Sequence, residues 1–125
     1  MNIAIWVIQG ILAAMFGMAG VTKSTQPKEK LAEKMPWVND YSAGTVKLIG
    51  ISELLGAIGL IVPWATGIVP ILTPIAAVAL AFVMVLAAIY HFGKKEYKGI
   101  GINFFLFVLL AVVAYFRFSK LIAFT

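Results

Sequence analysis

The chain alternates between long apolar runs and two short charged segments, and that pattern predicts helices that cross a membrane. Residues 3–22 carry no charge. About 20 such residues rise far enough, at 1.5 Å each, to cross a hydrocarbon core of roughly 30 Å. Three further runs have the same character, giving expected spans at 45–62, 68–92 and 100–118. Pro63 and Trp64 are expected to close the second span, and the short uncharged turn from Pro63 to Gly67 makes spans two and three antiparallel neighbours. Pro70 and Pro74 suit the first turn of the third helix, where their missing N–H groups are not needed. A cleaved signal peptide competes for the first run, but its start, MNIAIW, has no Lys or Arg and the run is long for such a segment.

The hydrophilic stretch 23–44, KSTQPKEKLAEKMPWVNDYSAG, has the punctuation of a short interfacial helix, with Pro27 near its start and Pro36 as its stop. In that reading Leu31, Met35 and Trp37 dip into the headgroup layer while Lys28, Lys30 and Lys34 stay in water. A solvated loop with Trp37 in the aromatic belt is the alternative. Small residues pattern the helices. Gly10, Ala13, Gly17 and Gly20 repeat along the first, and Gly50, Gly56 and Gly59 flank Glu53 on the second. Ala77, Ala81, Met84, Ala88 and His91 share a face of the third. Such stripes let helix backbones approach closely in lipid. The aromatics of the fourth helix spread around it and read as lipid-facing bulk and interface anchors.

Composition turns this pattern into a class. With 125 residues, 62% hydrophobic and 12% charged, and a mean hydropathy of +1.02, there is more apolar surface than a soluble domain of this size can bury. The expected fold is therefore all-α: a single membrane domain built as a four-helix transmembrane bundle, with lipid covering the remainder. No cysteine is present, which removes thiolate chemistry and sulfur metal sites, and one histidine is too few for a zinc or haem ligand set. The net charge of +5 sits in loops and not along a groove with interleaved aromatics, so nucleic acid is not an expected partner. Lys23, Lys28, Lys30, Lys34, Lys47, Lys94, Lys95 and Lys98 fall on one side, against Arg117 and Lys120 on the other. The positive-inside rule then places both basic loops in the cytoplasm and both termini outside, in a bacterial inner membrane.

Glu53 is the acid inside the spans. A charge at that depth costs about 2.5–3.5 kcal/mol on insertion scales, so it is turned inward and given a partner. The topology gathers Lys23, Lys47, His91 and Asn103 into the same half of the bundle, with Glu53 about 9 Å below Lys47. Two readings of this cluster stand side by side. In one, Glu53 is a clamp, bonded to Lys23 or His91, and fixes helix register. In the other, Glu53, Lys23, His91, Asn103 and Lys47 line a site for a small hydrophobic ligand, and the histidine beside the carboxylate exchanges protons. One acid, one histidine and no cofactor motif make a thin catalytic set, so stand-alone catalysis is the least favoured reading and no catalytic residue is assigned.

Gly20-x-x-Lys23 closing helix one, Gly50-Ile51-Ser52-Glu53-Leu54-Leu55-Gly56 with Gly59-Leu60 and Pro63 in helix two, and Ala88-x-x-His91 ending helix three resemble the DoxX-like family of small four-helix membrane proteins. The likeness covers nearly the whole chain. It implies a four-helix bundle with Lys23, Glu53 and His91 at marked positions. It also implies a role beside an oxidoreductase or another membrane protein. The polar cluster beside small-residue seams makes a quinone or isoprenoid-like molecule the ligand to look for, and an outward seam leaves homo-oligomers open. Helix one departs from the DoxX subunits proper in lacking an arginine near its start, with Gln9 in that neighbourhood.

Overall fold

The computed structural model describes residues 2–32 and 36–122, and shows an all-helical chain with four long apolar helices. These are α1 (Asn2–Thr25), α3 (Ala43–Thr66), α4 (Leu72–Gly93) and α5 (Tyr97–Ile122), with a short α2 (Lys28–Leu31) between the first two. A 3-10 turn, Pro36–Asp40, follows α2. α1 packs most extensively on α3, and α4 on α5. α3 and α4 join the two pairs, and α1 meets α5 along a thin seam. Leu12, Leu60, Ala77, Leu80, Leu110 and Val113 are fully or almost fully buried along the common axis. The outer faces carry Ile, Leu, Val and Phe in quantity, the arrangement of a bundle solvated by lipid.

The second helix runs through Pro63 to Thr66 instead of ending before it. Pro63 cannot donate to the carbonyl of Gly59, but the Thr73 hydroxyl of α4 donates to that oxygen at 2.8 Å, so the helix continues without an orphaned acceptor. The real stop is Gly67, whose φ of 72° is left-handed and whose N–H closes on Pro63 O at 3.1 Å. The turn is therefore Gly67–Ile71 and α4 starts at Leu72. At the other end of α3, the Ser42 hydroxyl caps the helix by accepting from the Thr45 N–H at 3.1 Å.

The small-residue stripes divide their work. Gly20 faces the Gly50 backbone so closely that a Cβ on it would lie 2.6 Å from the Gly50 carbonyl oxygen, and Gly17 faces Ala57. Gly10 meets nothing within 4 Å and points outward, so it drops out of the α1 stripe, while Ala13 packs partly buried against the core. On α3, Gly50 serves α1 whereas Gly56 and Gly59 face Leu80 and Ala76 of α4. The expected single flank is split because α3 is wedged between two helices.

The polar segment folds onto the bundle. Leu31 is buried with Val38 and Val46, turned toward α3 and not toward headgroups. The expectations for Lys34 and Met35, and for the side chains of Lys28 and Trp37, lie outside the described residues. Asp40 accepts a hydrogen bond from the Tyr90 hydroxyl near the end of α4, and Lys94 Nζ approaches the same carboxylate at 3.4 Å. Tyr41 and Tyr90 add a ring contact at 5.9 Å between centroids. The segment is thus latched to the same end of the bundle where α4 turns into α5.

Candidate functional site

Glu53 sits on the inward face of α3, 3% exposed, and accepts from Lys23 Nζ at 2.6 Å. The sequence sets this up locally. Gly20 and Gly50 bring the two backbones together one turn away, so the lysine stem lies along the seam and its ammonium reaches the acid. Lys23 is 14% exposed at its side chain, so the pair is shielded from bulk solvent.

The other residues expected here scatter. His91 is half-buried, with Nδ1 3.2 Å from Glu96 Oε1 and its ring against Gly99, and it belongs to the α4–α5 turn. It is not bonded to Glu53. The Glu96 N–H returns to the His91 carbonyl at 2.8 Å, so the tight turn itself draws these two side chains together. Lys47 is exposed. Six residues from Glu53 on a 3.6-residue helix, it points about 120° away from the acid. The Asp40 carboxyl beside this turn is held below the usual carboxylate range, first by the Tyr90 hydroxyl and then by the Lys94 charge.

Asn103 takes a different position. It is 8% exposed near the start of α5, and its amide nitrogen is buried with no hydrogen-bond partner among the described residues. It lines an apolar groove of about 420 Å³ between α4 and α5, with Met84, Ala88, Phe92, Phe104 and Phe107 around it. A second hollow of about 370 Å³ continues along the seam from Val85 and Phe107 to Ala114. Val85, Phe92 and Phe104 are exposed, so the groove opens onto the outer, lipid-facing surface. Gly56 pairs with Leu80 and Gly59 with Ala76 across α3 and α4. One turn further, this antiparallel register brings Glu53 to the level of Met84, which forms the groove's inner wall.

A residue read only as a charge at the chain's end proves to be buried. Arg117 is 2% exposed. Its Nε donates to Gln9 Oε1 at 2.6 Å and its Nη1 to Asn2 Oδ1 at 2.8 Å, while Gln9 Nε2 donates to the Leu60 carbonyl at 2.6 Å. The guanidinium lies 4.6 Å from the Trp64 ring and 5.4 Å from the Trp6 ring. Gln9 alone signalled a buried polar need in α1, but nothing in the spacing links it to a residue 108 positions away.

The DoxX-like family profile matches residues 7–113. The chain belongs to the DoxX-like family. No curated protein and no solved structure matches it. This DoxX-like protein is an integral membrane four-helix bundle, and the guanidinium beside Gln9 in its first helix is supplied by the last one.

Proposed function

We propose that this DoxX-like bundle is an accessory membrane protein that holds a small hydrophobic molecule in the α4–α5 groove. The observation that carries the reading is the buried, unpartnered Asn103 amide on the wall of an apolar groove. A buried donor left unsatisfied costs about 1–3 kcal/mol, and an acceptor such as a quinone or ester carbonyl removes that penalty. Met84, Ala88, Phe104 and Phe107 receive the apolar body of the molecule. Glu53 and Lys23 stand behind Met84, engaged with each other, and serve this site as the clamp that fixes the helices around it. His91 is paired with Glu96 in the α4–α5 turn and stands apart from the groove lining. The charge bias of the loops supports a cytoplasmic location for both of them in a bacterial inner membrane.

Mass spectrometry of small molecules retained in mild detergent tests the reading. Wild type is expected to carry a quinone, isoprenoid or defined lipid that Asn103→Leu loses at unchanged fold. The same molecules in both would sink it.

One observation favours a second reading, in which the protein acts as a structural partner of other membrane helices. Gly10 and Ala14 form an outward small-residue face on α1 that no helix of this chain covers. Cross-linking from that face to another membrane protein or to a second copy would support it, and an empty result would count against it.

A further inference from the structure

We propose that Arg117 is the receptor for a phosphate-type oxyanion at the end of the bundle opposite the Glu53 pair. A guanidinium stays charged in a protein, and a charge inside a membrane bundle calls for compensation. Among the described residues, the groups that Arg117 contacts are neutral: Gln9, Asn2 and the rings of Trp6 and Trp64. Glu53 is the acid of the four long helices, and eleven residues of α3 separate it from Trp64, about 16 Å by helical rise. Among the described residues no carboxylate lies within ion-pair distance of Arg117. Its Nη2 is buried without a partner, which leaves two strong N–H donors unused beside a bidentate-capable fork.

The surroundings suit an oxyanion. The indoles cover the guanidinium faces and lower the local dielectric, which strengthens a charge-assisted bond there. Trp6 is the more distant of the two and only half-buried, so it is the cover that turns aside to admit an oxygen to Nη2. Asn2 at the first turn of α1 places the node at the membrane boundary, where phosphates are found.

The source of the oxyanion is a lipid headgroup or free phosphate, and the experiment separates them. Purified protein is titrated with dioleoylphosphatidylglycerol, with inorganic phosphate, and with dioleoylglycerol as the phosphate-free lipid, following tryptophan fluorescence and the thermal midpoint. Phosphatidylglycerol is expected to raise the midpoint and shift the fluorescence. Arg117→Gln is expected to weaken that response roughly tenfold or more, as for loss of a charged hydrogen bond, with Lys120→Gln unchanged. Competition by inorganic phosphate assigns the site to a free oxyanion, and its absence assigns it to the headgroup. If Arg117→Gln does not fold, Arg117→Lys, which keeps the charge but lacks the fork, carries the same expectation. Equal protection by dioleoylglycerol, an undiminished response in the Arg117 variant, or an equal loss in Lys120→Gln would overturn the proposal.

Discussion

Lys23 Nζ lies 2.6 Å from Glu53 Oε1, one turn from the point where the Gly20 and Gly50 backbones touch. Charge and close packing thus reinforce one α1–α3 joint. Interhelical polar bonds in membranes average about 0.6 kcal/mol, whereas stripping one partner from a buried ion pair costs about 3–5 kcal/mol. Glu53→Gln removes the charged acceptor from a shielded ammonium, so it is expected to destabilise the protein in detergent by up to the second range, read as a lower thermal midpoint. Adding Lys23→Met should recover part of the loss. A midpoint equal to wild type would remove the clamp.

The glycines at this joint predict a graded series. A Cβ at Gly20 would stand 2.6 Å from backbone atoms of Gly50 and Leu54, which cannot yield as a side chain can. Gly20→Ala should therefore cost at least the 1–3 kcal/mol typical of overpacking. Gly10→Ala, with open space around it, should be near neutral. Denaturation of the two variants side by side checks this, and equal effects would contradict the packing described.

Thr73 predicts the fate of the Pro63 break. Thr73→Val keeps the shape but orphans the Gly59 carbonyl, for an expected loss of about 1–3 kcal/mol. Thr73→Ser should retain most of the stability. Hydrogen exchange at the end of α3 should rise in the valine variant alone, and unchanged protection would show that the carbonyl finds another donor.

The latch between Asp40 and Tyr90 predicts a pH dependence. The Asp40 carboxyl is depressed below its ordinary 3.8, so the stabilisation it gives the folded state is complete above that value. It is lost as pH falls through the lower, folded value. The segment 36–42 should therefore stay docked in mildly acidic solution and loosen only in strong acid. Tyr90→Phe removes the larger cause, so the Asp40 titration observed by NMR should move back toward 3.8. No movement would mean that Lys94 alone sets it.

The four-helix membrane fold was legible because uncharged runs of about 20 residues admit few other structures. The acid's partner was narrowed to Lys23 or His91, and the structure brings Lys23 to it. Lys23 and Glu53 lie on helices adjacent in sequence, and a buried acid near a helix-ending lysine has few alternatives. His91 was the alternative partner for the acid, placed near it by depth, but five residues onward Glu96 is available across the turn, and the closer partner wins. Pro63 read as a stop because the hydroxyl that completes its helix belongs to the next one. Arg117 read as a boundary charge because cations at span ends usually reach water. Its burial depends on an amide from the first helix and an indole from the second, contacts that no local pattern encodes.

The thin seam between α1 and α5 carries a temporal consequence. Gln9 and Asn2 leave the ribosome more than a hundred residues before the guanidinium that joins them. During synthesis α1, α3 and α4 can associate through the glycine contacts and the Lys23–Glu53 pair, but the bundle stays open on one side. Once α5 follows, Arg117 ties that side to α1. A chain truncated before Arg117 would lack the bonds that hold α5 to Gln9 and Asn2.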